Sequence, residues 1–551
     1  MNFFKIIFVS FIPLCFSATT HAQSLNVLWQ KSFGGSGNDG AWAIQQTTDD
    51  GYIVAASSTS NDGDVSGNHG GDGPGEDYWI IKLDFFGNMM WQKSLGGTDS
   101  FDPFGQINRE PAYSVQQTTD GGYIVTGYSA STDGDVTGNH GGKDFWVVKL
   151  TPNGDIKWQK SLGGSSNEAA SSIQQTTDGG YIISGVSKSS KSDVTGNHGG
   201  YDYWIVKLAP DTGTNALPAI EWQKSLGGSG EDMAYSVQQT TDGGYIVAGS
   251  SNSTDGDVTG NHGSNDYWIV KLNSYGNIMW QKSLGGSGTD NAYSIQQTTD
   301  GGYIIAGETR SNNGDVSGNH GLYDYWVVKL APDTVNPTTP PAIEWQKALG
   351  GSDEDIAQSI QQTQDGEYIV AGASKSDNGD VTVNHGGEDF WVVKLASNGD
   401  IKWQKSLGGR GDEWAHSVRQ TKDGKCIIAG VSTSYNADVT LNHGGNDVWI
   451  VKLDGVTEIN EPVYTDDKIT VYPNLVSAAN GFVNIKIENL ADASLVITNT
   501  MGQVVYSNKA STKDTNIDIT NYSKGIYFIK IQGKYKNTKQ EIIKTEKFIV
   551  Q

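Results

Sequence analysis

The chain has 551 residues, a formal net charge of −24, 71 glycines and two cysteines. Nearly all of the negative charge precedes residue 457, because the tail beyond it carries 11 Lys against 10 Asp and Glu. A field of that sign repels nucleic acid and anionic lipid and leaves cations, neutral glycans or proteins as partners.

At the start, Lys5, the apolar run from Ile6 to Phe16 and the small residues Ser17 to Ala22 read as a secretory signal peptide over 1–22, cut after Ala22. The run is too short to span a bilayer, and no later stretch is long and apolar enough, so no transmembrane segment is expected in the mature chain. Removal of Cys15 leaves Cys426 alone, without an intrachain disulfide. Cys426 stands where other repeats carry Tyr123 or Tyr245, which predicts a buried thiol.

Seven repeats follow over 23–453. Each contains Trp-Gln-Lys, beginning at Trp29, Trp91, Trp158, Trp222, Trp280, Trp345 and Trp403, and a later aromatic or Val, then Trp, in a run ending Lys-Leu. Of the 16 tryptophans, Trp42 and Trp414 alone lie outside these two sets. A period of roughly 60 residues indicates a repeat architecture. In the fourth unit, Ala234–Thr240, Tyr245–Gly249, Tyr267–Leu272 and Asn277–Leu284 read as strands, with a tight turn at Asp242-Gly243-Gly244 where glycine accepts positive φ. No helical period appears. Four antiparallel strands per unit predict a β-propeller blade, with strand one innermost. The repeats begin with a lone fourth strand, Leu25 to Phe33, and end with a lone third strand, Val448 to Leu453. Pairing the two predicts a seven-bladed all-β propeller without open edges.

Two loop types then share one acidic face, the link from strand two to strand three and the link between units. Asp133 to Asp144 places oxygen donors at Asp133, Asp135, Thr137 and Asp144 with Gly138 between, a spacing similar to an EF-hand calcium loop. The pattern recurs at Asp255, Asp257, Thr259 and Asp266, and, with Asn313 first, at Asp315, Ser317 and Asp324. Calcium is therefore the expected cofactor if these loops bind one. The rival reading is plain Asp/Asn/Gly turn chemistry. The histidine in each Asn-His-Gly reads as a turn residue, and Gln-Gln-Thr on strand one as the lining of a polar channel. No nucleophile, base and orienting group recur as a catalytic set. The insert from Asp99 to Pro111 puts Phe101, Phe104 and Arg109 on the acidic face, an aromatic and Arg combination suited to ligand binding. Inserts at 210–219 and 332–342 are expected on the opposite face.

After a linker over 454–467, composition changes. Val471-Tyr-Pro-Asn474, the strand pair around Met501-Gly502, the run from Ile517 to Lys530 and the closing Glu546-Lys-Phe-Ile-Val550 follow in order over 468–551. This series resembles the type A C-terminal sorting domain of type IX secretion, with Leu475 in place of the usual Pro. The resemblance implies a small β-sandwich read by the outer-membrane translocon, then release or surface attachment.

Together these readings predict a secreted or surface-displayed, non-enzymatic propeller that binds extracellular glycan or protein. The alternatives are a polysaccharide-degrading hydrolase or lyase on the acidic face, and a structural surface-layer component, since propellers host all of these.

Overall fold

A computed structural model describes residues 25–70, 75–98, 109–211, 213, 217–334, 336 and 338–454, and in the tail 469–472, 475–476, 481–487, 490–499, 503–509, 514–535 and 541–550. The signal peptide, Phe101, Phe104 and all of the linker but Asp454 lie outside these residues. The chain forms two compact units, Met1–Thr457 and Glu458–Gln551.

The first unit contains seven four-stranded antiparallel sheets. In blade four, Asp232–Gln239, Tyr245–Ser251, Asp266–Leu272 and Ile278–Leu284 pair in chain order. Each first strand packs beside the first strands of two neighbouring blades, and the one at Glu413–Gln420 packs beside the one at Asp39–Gln46. The first strands therefore ring the axis, as the sequence predicts.

The second and third strands are buried along their whole length, apart from the half-buried Val186 of blade three, because each sheet is covered on both faces. Alternate side chains join different cores. Trp268 and Val270 pack with Tyr203 and Ile205 of blade three, whereas Tyr267 and Ile269 pack with Trp326 and Val328 of blade five. The Tyr203 ring lies 4.6 Å from the Trp268 ring, and its hydroxyl donates to the Trp268 carbonyl at 2.8 Å. The Trp268 indole N–H donates to Gln281 Oε1 at 2.8 Å, which explains why the Gln of Trp-Gln-Lys recurs. Lys271 is buried yet satisfied, with Nζ donating to Thr240 Oγ1 at 2.9 Å and Asp242 Oδ2 at 2.7 Å. The Lys of the third strand thus ties down the Thr-Thr-Asp-Gly turn. Cys426 is buried among aliphatic groups, which push its thiol pKa up to about 12.

Ring closure follows the predicted pairing. Val27–Phe33 runs antiparallel to Asp447–Leu453, with Val27 opposite Leu453 and Phe33 opposite Val448. The closing strand also provides Gln30, whose Oε1 accepts from the Trp449 indole at 2.8 Å. Blade seven is thereby bonded like the others.

The tail unit has a three-stranded sheet of Ile469–Tyr472, Phe482–Ile487 and Asp514–Asp518. Its second sheet has five strands, with Gly525–Tyr535 between Glu541–Val550 and Leu490–Asn499. Val483, Ile485 and Ile517 from the first sheet share one core with Leu495, Ile529 and Phe548 from the second, so the unit is a β-sandwich.

Trp268→Ala is expected to cost about 3–5 kcal/mol, the range for deleting a buried indole. Trp414→Ala, at a ring that is 37% exposed, should cost far less. Equal losses for the two in denaturant unfolding would contradict this packing.

Candidate ligand site at the channel mouth

Every first strand carries a β-bulge at the same place. In blade four the register shifts between Ala234 and Ser236, which leaves Tyr235 unpaired. The equivalent residues are Trp42, Tyr113, Ser171, Tyr293, Gln358 and His416. A bulge adds one residue and re-aims its side chain. All seven are half-buried and line one cavity of about 360 Å³ around the axis. In six blades the second strand meets the bulge with a glycine, where a Cβ on Gly249 would lie 1.9 Å from the Met233 carbonyl oxygen; blade one has Ala56 there.

The mouth is asymmetric although the blades are alike. Trp42 stacks on His416 at 4.4 Å and meets Tyr113 edge-on at 5.0 Å. Tyr235 and Tyr293 form a second edge-on pair at 5.1 Å. Burial lowers the His416 pKa to about 4, so its ring is neutral at physiological pH. Glu308 is buried behind Tyr293 and accepts from its hydroxyl at 3.0 Å and from Asn291 Nδ2 at 2.6 Å; burial raises its pKa.

Arg109 stands near this rim. It bridges to Glu76, with Nε 3.6 Å from Oε2, and its charge acts on the hydroxyls of Tyr113 and Tyr128. Arg109 is thus within electrostatic reach of Tyr113 but is not among the residues that line the cavity.

The acidic-loop residues face separate partners. Asp133 Oδ1 accepts from the Thr98 amide at 2.8 Å, Asp135 Oδ2 from the Gly96 amide at 3.3 Å, Thr137 Oγ1 from Gln159, and Asp144 Oδ2 from the His140 amide at 2.8 Å and ring Nδ1 at 2.6 Å. Asp255, Asp257, Thr259 and Asp266 repeat these roles toward Ser229, Gly227, Gln281 and His262. So do Asn313, Asp315, Ser317 and Asp324 toward Ser287, Gly285, Gln346 and His320. These bonds tie each loop to the Gly-Gly link of the preceding blade. Among the described residues, no three His, Cys, Asp or Glu side chains gather as a metal cluster.

The same interface contains buried carboxyl pairs. Asp77 Oδ1 has no hydrogen-bond partner, and a Cβ on Gly96 would lie 2.5 Å from it and 2.4 Å from Glu110 Oε2. Both groups are fully buried and flank one glycine. Burial raises both pKa values, that of Glu110 to about 7 with further upward pressure from Asp77. Asp144, beside Glu168, and Asp324, beside Asp355, are raised by burial to about 6.

The sequence reading missed the bulge ring. Its signal was one of the two columns that vary most within a repeated strand: Trp42, Tyr113, Ser171, Tyr235, Tyr293, Gln358 and His416, each preceded by Ala.

Residues 470–545 match the family described as "Secretion system C-terminal sorting domain". This segment is a type IX secretion sorting domain. It marks the protein for recognition by the secretion machinery and for secretion or attachment at the outer-membrane surface. No helix among the described residues is long and apolar enough to cross a membrane. The regulatory protein FlaEY of Caulobacter vibrioides is 24% identical over 403 residues, covering 65% of this chain and 39% of its own. The chain thus spans about two fifths of that relative's length. PorZ, a surface component of the type IX secretion system of Porphyromonas gingivalis, aligns over 95% of this chain and 100% of its own at 12% identity and a TM-score of 0.16. The WD40 domain of SCAP from fission yeast aligns over 94% of this chain and 90% of its own at 8% identity and a TM-score of 0.31.

A carboxyl whose pKa rises on folding binds more protons in the folded state. Its contribution is full below the unfolded pKa and is lost as pH rises through the folded one. Stability should therefore fall as pH rises from about 4.5 to 7 through Glu110, Asp144 and Asp324. Glu110→Gln should flatten that slope in melts across the window, and a variant with the unchanged slope would contradict the pairing.

Proposed function

We propose that this surface-exported propeller is a non-enzymatic binding module that holds a neutral glycan segment at the channel mouth. The observation that carries the reading is the ring of bulged residues, which presents Trp42, Tyr113, Tyr235 and Tyr293 around one cavity of about 360 Å³. Aromatic faces and edges supply apolar contact, while their polar tips and the backbone supply hydrogen bonds, a combination suited to sugar rings. The cavity fits a few sugar rings and is small for a protein face.

Calorimetric titration of the full-length protein with cello-, xylo- and malto-hexaose tests it. At least one is expected to bind, and Trp42→Ala or Tyr293→Ala should weaken it about tenfold or more. Binding unchanged in both variants, or none by any of the three, contradicts the proposal. Cleavage of the bound sugar, abolished by Glu308→Gln, would replace it with the hydrolase reading, which the buried acid Glu308 favours.

Calcium at the repeated acidic loops is a separate proposal, supported by donor spacing. It requires Asp133 and Asp135 to exchange the amides of Thr98 and Gly96 for the ion. A saturating ligand at about 100 times its Kd adds roughly 2.7 kcal/mol per site. A calcium-dependent rise in Tm over chelator, abolished by Asp133→Asn with Asp257→Asn, is the supporting result. Identical melts exclude calcium from the loops.

A further inference from the structure

Below the mouth, the channel narrows to a second cavity of about 300 Å³ lined by Ile, Val, Ser, Ala and Gln side chains and by Arg419. Six blades present a glutamine here: Gln45, Gln116, Gln174, Gln238, Gln296 and Gln361. Blade seven presents Arg419 instead.

The orientation of the glutamines is fixed by their bonds. Each Oε1 accepts a main-chain N–H of the next blade, as Gln116 does from Gln175 and Gln238 from Gln297, both at 2.6 Å. The same bond links Gln45 to Gln117, Gln174 to Gln239, Gln296 to Gln362 and Gln361 to Gln420. A main-chain N–H only donates, so the oxygen end must face it. The six Nε2 groups are left at the channel without protein acceptors among the described residues. The wall serines are placed likewise: Ser114 and Ser236 Oγ accept the amides of Ile173 and Ile295 at 3.3 Å, which leaves their hydroxyl protons free to donate.

Arg419 adds charge to this ring of donors. Its Nη1 donates to Val418 O at 2.7 Å and Ser359 Oγ at 3.1 Å, and its Nε and Nη2 have no protein acceptor among the described residues. No carboxylate among them pairs with it, and burial lowers its pKa. Arginine keeps its charge, and the free Nε and Nη2 of the half-buried Arg419 open on the channel, where an anion would satisfy the charge and the donors together.

We infer that Arg419 and the axial glutamine amides form a binding site for a small oxyanion of the sulfate, phosphate or carboxylate class. The site differs from the mouth in depth, in residues and in the sign of the charge it selects.

The test is thermal melting of the full-length protein at fixed ionic strength as sulfate, phosphate or acetate replaces chloride. A saturable rise is expected in the natural protein and not in Arg419→Gln, which restores the residue of the other six blades and so keeps the fold. Non-specific salting effects act on both proteins and cancel in the comparison. Response to acetate alone assigns a carboxylate, and response to sulfate or phosphate an inorganic anion. By calorimetry the responding anion should bind Arg419→Gln at least about tenfold more weakly. In selenate-soaked crystals of the natural protein, anomalous density should lie within hydrogen-bond reach of Arg419. Equal responses of the two proteins to all three anions, or a response to sulfate or phosphate with no such density in the channel, would overturn the inference.

Discussion

The constraint on which the rest of the propeller depends is closure. Six blades are continuous in sequence, but the seventh exists only because Val27–Phe33 completes the sheet ending at Asp447–Leu453. Without that strand the ring has two open edges, and the first strands have no reason to hold a common distance from the axis. Closure fixes the number of blades and with it the width of the channel. Gln30 shows how fully the N-terminal strand replaces a local one, since it accepts from Trp449 as Gln281 accepts from Trp268.

Within the closed ring, identical scaffolding presents different chemistry. The outer parts of each blade repeat one set of bonds, Trp to Gln and Lys to the Asp of the turn, and four blades add Tyr to a Trp carbonyl. The residue that the bulge turns toward the axis differs from blade to blade. A repeated architecture thus supplies one asymmetric site, because all seven bulged positions converge on one cavity. Arg419 is the same device one step deeper, a single departure in a ring of glutamines. The sorting domain adds a route to the cell exterior and has its own core.

Much of this was legible in the sequence. Tryptophan spacing gave the repeat, the lone flanking strands gave closure, and Tyr267-Trp-Ile-Val-Lys-Leu gave a strand buried on both faces. The bulge was not legible from alternation. Strict period two puts Ala234 and Val237 on opposite faces, yet both join one core, and only an extra residue between them permits it. The acidic loops show a related limit. Counting oxygens along Asp133 to Asp144 says nothing of which donor takes each oxygen, and the amides that do so belong to the Gly-Gly link before the blade. The partner of each histidine was hidden likewise: His140 meets Asp144, four residues on, because the loop folds back over the buried start of the third strand. Phe101 and Phe104 lie outside the described residues, and Arg109 of the same insert pairs with Glu76.

Closure is tested most directly by native-state hydrogen exchange of the N-terminal strand. The account predicts that the sheet-bonded amides over residues 27–33 are protected as strongly as those of an internal outer strand such as Ile278–Leu284. Exchange of 27–33 at the rate of an unstructured peptide, with the other blades still protected, would mean an open ring and would contradict both the seven-bladed channel and the sites placed along it.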